Sequence, residues 1–260
     1  MIGFRGEVCN PSFIAGANPA QEVITVIVIP LQKFQEMASW KINEKGEYKP
    51  FFGYTIISMI DDPENQLQNI EEYISSSVIS QYYAPLPHCT YHMTLYNIYP
   101  FNKDPIPPVK KWLLAENETV PKQAFLPEKV LKYHHAAAVE AIKKHLGENS
   151  LKIENVSLEI SGVIKIKIEL STGQESILKS LREDLAKIYE NPDANLKFHL
   201  TLAYLYKPIQ SMNSDKVLED LEHLKELVQK FKGFELKRHN VYLFDSMINF
   251  MPIESVHPLF

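Results

Sequence analysis

The sequence predicts an α+β fold of two antiparallel sheets, with helices on their outer faces and a cleft between them. Three observations carry that expectation. Strand-like and amphipathic helical segments are mixed in both halves of the chain. Each half places an amphipathic helix shortly before a strand bearing a His-x-Thr pair: Glu64 to Tyr82 precedes His92 as Gly173 to Tyr189 precedes His199. Between the halves lies Pro100 to Pro127, a mixed segment with six prolines, the longest irregular connection and the expected lobe boundary. The 260 residues are accordingly expected to form one bilobal domain, 1–260, divided within 100–127.

In chain order, Met1 to Gln21 is rich in Gly, Pro and Asn and reads as an irregular lead-in. Glu22 to Pro30 is β-branched and closed by proline, the profile of a buried strand. Leu31 to Lys41 fits a short helix, Asn43 to Pro50 a polar turn, and Phe51 to Ile60 a second strand. Leu67, Ile70, Ile74, Val78 and Ile79 recur at helical spacing, predicting a helix over Glu64 to Tyr82 with Pro63 just before it. His88 to Ile98 reads as a strand, and Lys110 to Leu114 as a turn of helix in the Pro-rich connection. Pro127 to Leu146 is expected to be a helix stopped by Gly147.

Leu151 to Ile160 and Gly162 to Leu170 follow as strands. The second alternates strictly, with Ile164, Ile166, Ile168 and Leu170 on one face and Val163, Lys165, Lys167 and Glu169 on the other. Gly173 to Tyr189 has an apolar stripe of Ile177, Leu178, Leu181, Leu185 and Ile188. Leu196 to Tyr206 is a strand. Ser214 to Lys232 is a helix lined by Val217, Leu221, Leu224, Leu227, Val228 and Phe231, and Phe234 to Phe244 and Met247 to Ile253 complete the strands.

Composition narrows the function. With 45% hydrophobic and 23% charged residues, the chain is that of an ordinary soluble globular protein. A formal net charge of -5 argues against tight binding of long nucleic acid, which needs lysines and arginines to displace counterions. No apolar run is long enough to span a bilayer, and the first residues do not read as a secretory signal. Two cysteines, Cys9 and Cys89, require no disulfide framework. The expectation is a cytoplasmic monomer that acts on a small substrate and has no membrane or long nucleic-acid partner.

The chemistry concentrates in Tyr91-His92-Met93-Thr94-Leu95 and Phe198-His199-Leu200-Thr201-Leu202. On a strand, His and Thr two residues apart point to one face while the apolar residues point to the other. Nine histidines and seven threonines in 260 residues should give such a pair by chance roughly 0.2 times. Three occur, the third being His88-Cys89-Thr90. A register beginning at His88 competes with one at His92, but Met93 and Leu95 reproduce Leu200 and Leu202, whereas Cys89 and Tyr91 do not. A zinc site from His88, Cys89 and His92 is disfavoured, since on a strand the two histidines lie roughly 13 Å apart.

These paired motifs resemble the 2H phosphoesterase superfamily, and Tyr91 to Leu95 with Phe198 to Tyr204 look most like its DUF1868 branch. The resemblance implies a bilobal fold with one motif per lobe, and a metal-independent phosphodiesterase without cofactor. The expected substrate is a small nucleotide or short oligonucleotide: a 2',3'-cyclic phosphate, a 2'-5' linkage or a cyclic dinucleotide. His92 and His199 would be the acid and base, in an order the sequence leaves open. Thr94 and Thr201 would hold non-bridging phosphate oxygens. Tyr96, on the expected face of His92, either stacks on a base or closes the core, with Tyr54 and Tyr204 as weaker candidates for stacking. Lys165 and Lys167 would hold phosphate if their face lines the cleft, and are otherwise a solvated sheet face. The alternative is a nucleotide-binding module of the same fold without turnover, which the intact motifs disfavour. RNA-end ligation ranks lowest, for want of a broad basic surface.

Overall fold

The computed structural model describes residues 40–62, 64–100, 104–116, 128–192, 197–209, 213–231 and 234–256. The strand expected at Glu22 to Pro30 and nearly all of the helix expected before Lys41 lie outside them. Eight strands and six helices follow in mixed order: β1 Gly53–Asp61, α1 Gln66–Ser76, β2 Tyr83–Pro85, β3 His92–Pro100, α2 Pro107–Glu116, α3 Glu128–His145, β4 Leu151–Ile160, β5 Val163–Leu170, α4 Thr172–Tyr189, β6 His199–Leu205, α5 Ser214–Gln229, β7 Glu235–Ser246, β8 Asn249–Pro252 and α6 Ile253–Val256. All strand pairs are antiparallel, as the α+β expectation requires.

The strands form one hydrogen-bonded path, β2-β6-β5-β4-β7-β1-β3, with β8 added on β7. Strand β4 is the joint. Its first two residues, Leu151 and Lys152, pair with Leu236 and Glu235 of β7, and from Ile153 onward it pairs with β5. One half therefore holds β3, β1, β7 and β8, the other β2, β6 and β5. These are not the two halves of the chain. The early β2 joins β6, and the late β7 and β8 return to β1. Each half contributes one His-x-Thr strand, and β3 and β6 face one another. At the start of β1, a Cβ on Gly53 would lie 2.6 Å from the Tyr99 carbonyl oxygen, so this position accepts only the residue without a side chain.

The helical stripes explain the layers. Leu67, Ile70 and Ile74 of α1 and Val217, Leu221, Leu224 and Val228 of α5 are buried, and these two helices pack against each other. Leu178, Leu181 and Leu185 bury α4 against β3 and α3. Full burial of such leucines and isoleucines contributes roughly 1.5–3 kcal/mol each. Asp62 starts α1 by accepting from the backbone N–H groups of Gln66 at 3.0 Å and Leu67 at 2.7 Å. Ser171 does the same for α4, accepting from the N–H of Gln174.

Three boundaries differ from the sequence reading. The helix expected through Tyr82 stops at Ser76 and resumes as a tight turn over Val78–Gln81. Asp220 of α5 accepts from the Val78 N–H at 2.8 Å, and the Ser76 and Ser77 hydroxyls take up carbonyls of the last helical turn. The strand expected from His88 begins only at His92, because His88–Thr90 forms a 3-10 turn after Pro87. Within the Pro-rich connection, α2 runs longer than the expected Lys110 to Leu114, with Pro107 and Pro108 in its first turn, where proline is tolerated.

Candidate active site

Both His-x-Thr strands go out of register directly after the threonine. On β3, His92, Met93 and Thr94 pair with Met59, Ser58 and Ile57, but the next residue of β1, Ile56, pairs with Tyr96. Leu95 is the extra residue. On β6, His199, Leu200 and Thr201 pair with Lys167, Ile166 and Lys165, and then Ala203 pairs with Ile164. Leu202 is extra in the same place. A β-bulge of this kind resets the two-residue alternation.

Before each bulge the strands alternate as expected. His92, Thr94, His199 and Thr201 are half-buried and line one cavity of about 310 Å³, while Met93 and Leu200 are wholly buried. After each bulge the cavity side passes to Asn97 and Tyr204. Tyr96 turns the other way, which corrects its expected place beside His92. It is 0% exposed, its ring stacks on Tyr189 at 5.9 Å, and its hydroxyl donates to the Asn191 carbonyl.

The two histidines are held alike. His92 Nδ1 lies 2.7 Å from the Thr90 carbonyl oxygen, and His199 Nδ1 lies 3.3 Å from that of Lys197, in each case two residues earlier. A carbonyl only accepts, so Nδ1 carries the hydrogen in both rings, and Nε2 is the nitrogen left to exchange a proton. Phe250, brought in by β8, packs its ring 4.4 Å from that of His92. Burial pushes His92 down to about 4, helped by the positive charges of a protonated His199 and of Lys41 and opposed by the Thr90 hydrogen bond. His199 is also lowered, by burial first, then by Lys165 and Lys41, against the Lys197 carbonyl and Glu159.

The remaining wall is aromatic and basic. Trp40, Phe51, Tyr54 and Tyr204 line it with Lys41, Arg182 and Lys197, and among the described residues no aspartate or glutamate does. Lys41 Nζ donates to the Tyr204 hydroxyl at 3.1 Å. Arg182, on the buried stripe of α4, donates through Nε to the Leu95 carbonyl at 2.7 Å and through a terminal nitrogen to that of Thr94 at 3.4 Å. It thereby holds the β3 bulge.

Lys165 and Lys167 stand directly across from Thr201 and His199, on the same face of the sheet, yet neither lines the cavity. Lys165 pairs with Glu159 at 3.0 Å, and Lys167 with Glu169 at 2.9 Å in solvent. Their expected place on the phosphate is corrected accordingly: β5 lies one strand out, and carboxylates on its own hairpin take the ammonium groups. His88 is outside as well. Its N–H and Nδ1 both meet Glu71 of α1, at 2.7 Å and 2.6 Å, so the cavity register begins at His92. Among the described residues no three His, Cys, Asp or Glu side chains are grouped to hold a metal ion, and no helix is long and apolar enough to cross a membrane.

The sequence reading missed Lys41, Arg182, Lys197 and Asn97. Arg182 had a signal, an arginine set among the leucines of an apolar helical stripe. Lys197 had a weaker one, two residues before a motif histidine. Lys41, reached only through the fold, had none.

Residues 41–100, which include the first motif, match the 2H-phosphodiest family, described as a domain of unknown function, DUF1868. A crystal structure of ATU0111, a conserved protein of unknown function from Agrobacterium tumefaciens str. C58, shares the fold. It has a TM-score of 0.50 and 14% identity, over 82% of this chain and 88% of that one. The uncharacterized protein 127L of Invertebrate iridescent virus 6 is 40% identical over 223 residues, covering 82% of this chain and 94% of the viral protein. Relatedness at that level over nearly the whole viral protein, with the family match falling on the strand that bears His92 and Thr94, shows that the chain belongs to the 2H-phosphodiest family, DUF1868.

Proposed function

We propose that the protein hydrolyses a phosphodiester in a small nucleotide by two-histidine acid–base catalysis. The observation that supports this most directly is the matched anchoring of His92 and His199. Each has Nδ1 engaged by a backbone carbonyl and Nε2 left for proton exchange, with a threonine two residues on in the same cavity.

The different environments favour an order of roles. His92, depressed to about 4, is neutral near pH 7 and is the base. Its Nε2 takes a proton from water as the water oxygen bonds to phosphorus. His199, whose pKa is also lowered, is the acid: in its protonated form, which prevails only below that lowered value, it gives its Nε2 proton to the departing ribose oxygen as the P–O bond breaks. The Thr94 and Thr201 hydroxyls donate to the non-bridging oxygens as negative charge builds there. The products leave His92 protonated and His199 neutral, and exchange with solvent restores both. The donor set suits this better than a metal centre, since among the described residues two imidazoles line the cavity without a carboxylate or thiolate, an incomplete ligand set.

A cavity of about 310 Å³ suits a ligand of roughly mononucleotide size, and its aromatic wall offers stacking surfaces for a base. The net charge of -5 favours small substrates over long RNA. The candidates are 2',3'-cyclic phosphates, 2'-5' linkages and cyclic dinucleotides. The test is turnover of such a panel, with and without a chelator, by the wild type and by His92→Ala and His199→Ala. Each substitution is expected to lower kcat by about 10²–10⁴-fold and the chelator to leave it unchanged. Turnover that survives both substitutions, or stops on chelation, sinks the proposal.

A further inference from the structure

Lys41 is one cation more than a single phosphodiester calls for. A diester carries one negative charge, and in the proposed reaction it already meets the Thr94 and Thr201 hydroxyls and the His199 imidazolium. Yet the Lys41 ammonium lines the same cavity, close enough to depress both histidines. It is also held in place. Its Nζ donates to the Tyr204 hydroxyl at 3.1 Å and lies 4.9 Å from the Trp40 ring centre, 5.0 Å from that of Tyr204 and 5.5 Å from that of Phe51.

An ammonium among three aromatic faces has its position set by cation–π attraction. Rings and a phenol leave its charge uncancelled, unlike the pairing of Lys165 with Glu159 nearby. Tyr204 is steered into the cavity by the bulge at Leu202, so the element that sets the motif register also sets the Lys41 anchor. In a cavity lined by no aspartate or glutamate among the described residues, this half-buried cation has its charge available to an anionic group of a ligand.

We propose that Lys41, positioned by Trp40, Phe51 and Tyr204, is a second anion subsite, and that the substrate carries a terminal phosphate monoester besides the diester placed at His92 and His199. Arg182 and Lys197 line the same cavity and add to its positive potential. The substrate class becomes a 5'-phosphorylated nucleotide with a cyclic or 2'-5' diester. The proposal rests on the phosphodiesterase reading for the placement of the first phosphate.

The experiment uses ligands without a diester, so that binding is read apart from hydrolysis. Adenosine 3'-monophosphate and adenosine 3',5'-bisphosphate are titrated calorimetrically into the wild type, Lys41→Met and Lys41→Arg. The 5'-phosphate is expected to tighten wild-type binding about tenfold or more. That gain falls below about twofold in Lys41→Met and returns in Lys41→Arg.

No gain in the wild type, or an undiminished gain in Lys41→Met, overturns the subsite. Equal weakening of both ligands overturns it too, and assigns Lys41 to the phosphate at the histidines. Binding of neither nucleotide counts against the subsite as well. Should Lys41→Met fail to fold, the wild type still decides, because the gain must shrink as salt is raised and a salt-independent gain overturns the proposal. A normal gain without turnover of any diester would refute the hydrolytic reading and leave the subsite standing.

Discussion

Arg182 donates a hydrogen bond of 2.7 Å to the carbonyl of Leu95, the residue squeezed out of register between Thr94 and Tyr96. The matching bulge residue on β6, Leu202, has its carbonyl taken by the Leu86 N–H at 2.8 Å. Both bulges therefore have their displaced carbonyl satisfied, one by a side chain and one by backbone. Only the first can be removed by substitution. Arg182→Met should leave the Leu95 carbonyl buried without its donor, destabilising the fold by about 1–3 kcal/mol in denaturant unfolding. Because Thr94 sits one residue away, kcat should fall more than KM rises. A variant as stable and as active as the wild type would show that the bulge holds itself.

Two tyrosines, each just after the bulge of its own strand, separate core from cleft. Tyr96→Phe removes the donor to the Asn191 carbonyl inside the core and should cost about 1 kcal/mol of stability without changing the kinetics of the folded protein. Tyr204→Phe removes the phenol that accepts from Lys41, and should raise KM several-fold with little change in melting temperature. The opposite pattern in the two variants would mean that the alternation is not reset where the strand pairing places it.

How far the sequence could be read follows from which features are local. The His-x-Thr pairs, the alternation of Val163 to Leu170 and the stripes of α1, α4 and α5 are periodicities of a single segment, and they were legible. A bulge is a mismatch between two strands. Nothing in Thr94-Leu95-Tyr96 itself shows that Ile57 and Ile56 of β1 will skip Leu95, so Tyr96 was assigned to the wrong face. The end of α1 at Ser76 depends on Asp220, which lies more than a hundred residues away. Lys41 is held in the cavity by its own hydrogen bond to Tyr204, a contact across 163 positions. What escaped the reading was long-range partnership.

Lys167 stands opposite His199 but spends its charge on Glu169 in solvent. Lys167→Ala should therefore change kcat/KM by less than about twofold, since exposed pairs of this kind contribute little. A tenfold loss would mean that the lysine swings onto the substrate during the reaction.

His88 and His92 compete in the sequence and part company in the fold. His88→Ala removes the side-chain contact with Glu71 in the middle of α1 and should lower the melting temperature by a few degrees with kcat reduced less than threefold. His92→Ala should do the reverse, with kcat lost by orders of magnitude and the fold intact. A larger kinetic loss at His88 would move the active register to the preceding turn.

The pH profile tests the order of the two histidines. His92 must be neutral to act as base, so activity rises as pH increases through its value of about 4. His199 must be protonated to act as acid, so activity falls as pH increases through its own value, which lies below the ordinary histidine 6.5. With the base more acidic than the acid, the reactive protonation state is the populated one between the two limbs. The kcat/KM profile of the free enzyme should then peak between about pH 4 and 6.5. Lys41 lowers both histidines, so Lys41→Met should move both limbs to higher pH together, whereas His92→Gln should erase the lower limb alone. If the maximum lies above pH 7, or if His199→Gln removes the lower limb in place of the upper, the assignment of base and acid is wrong.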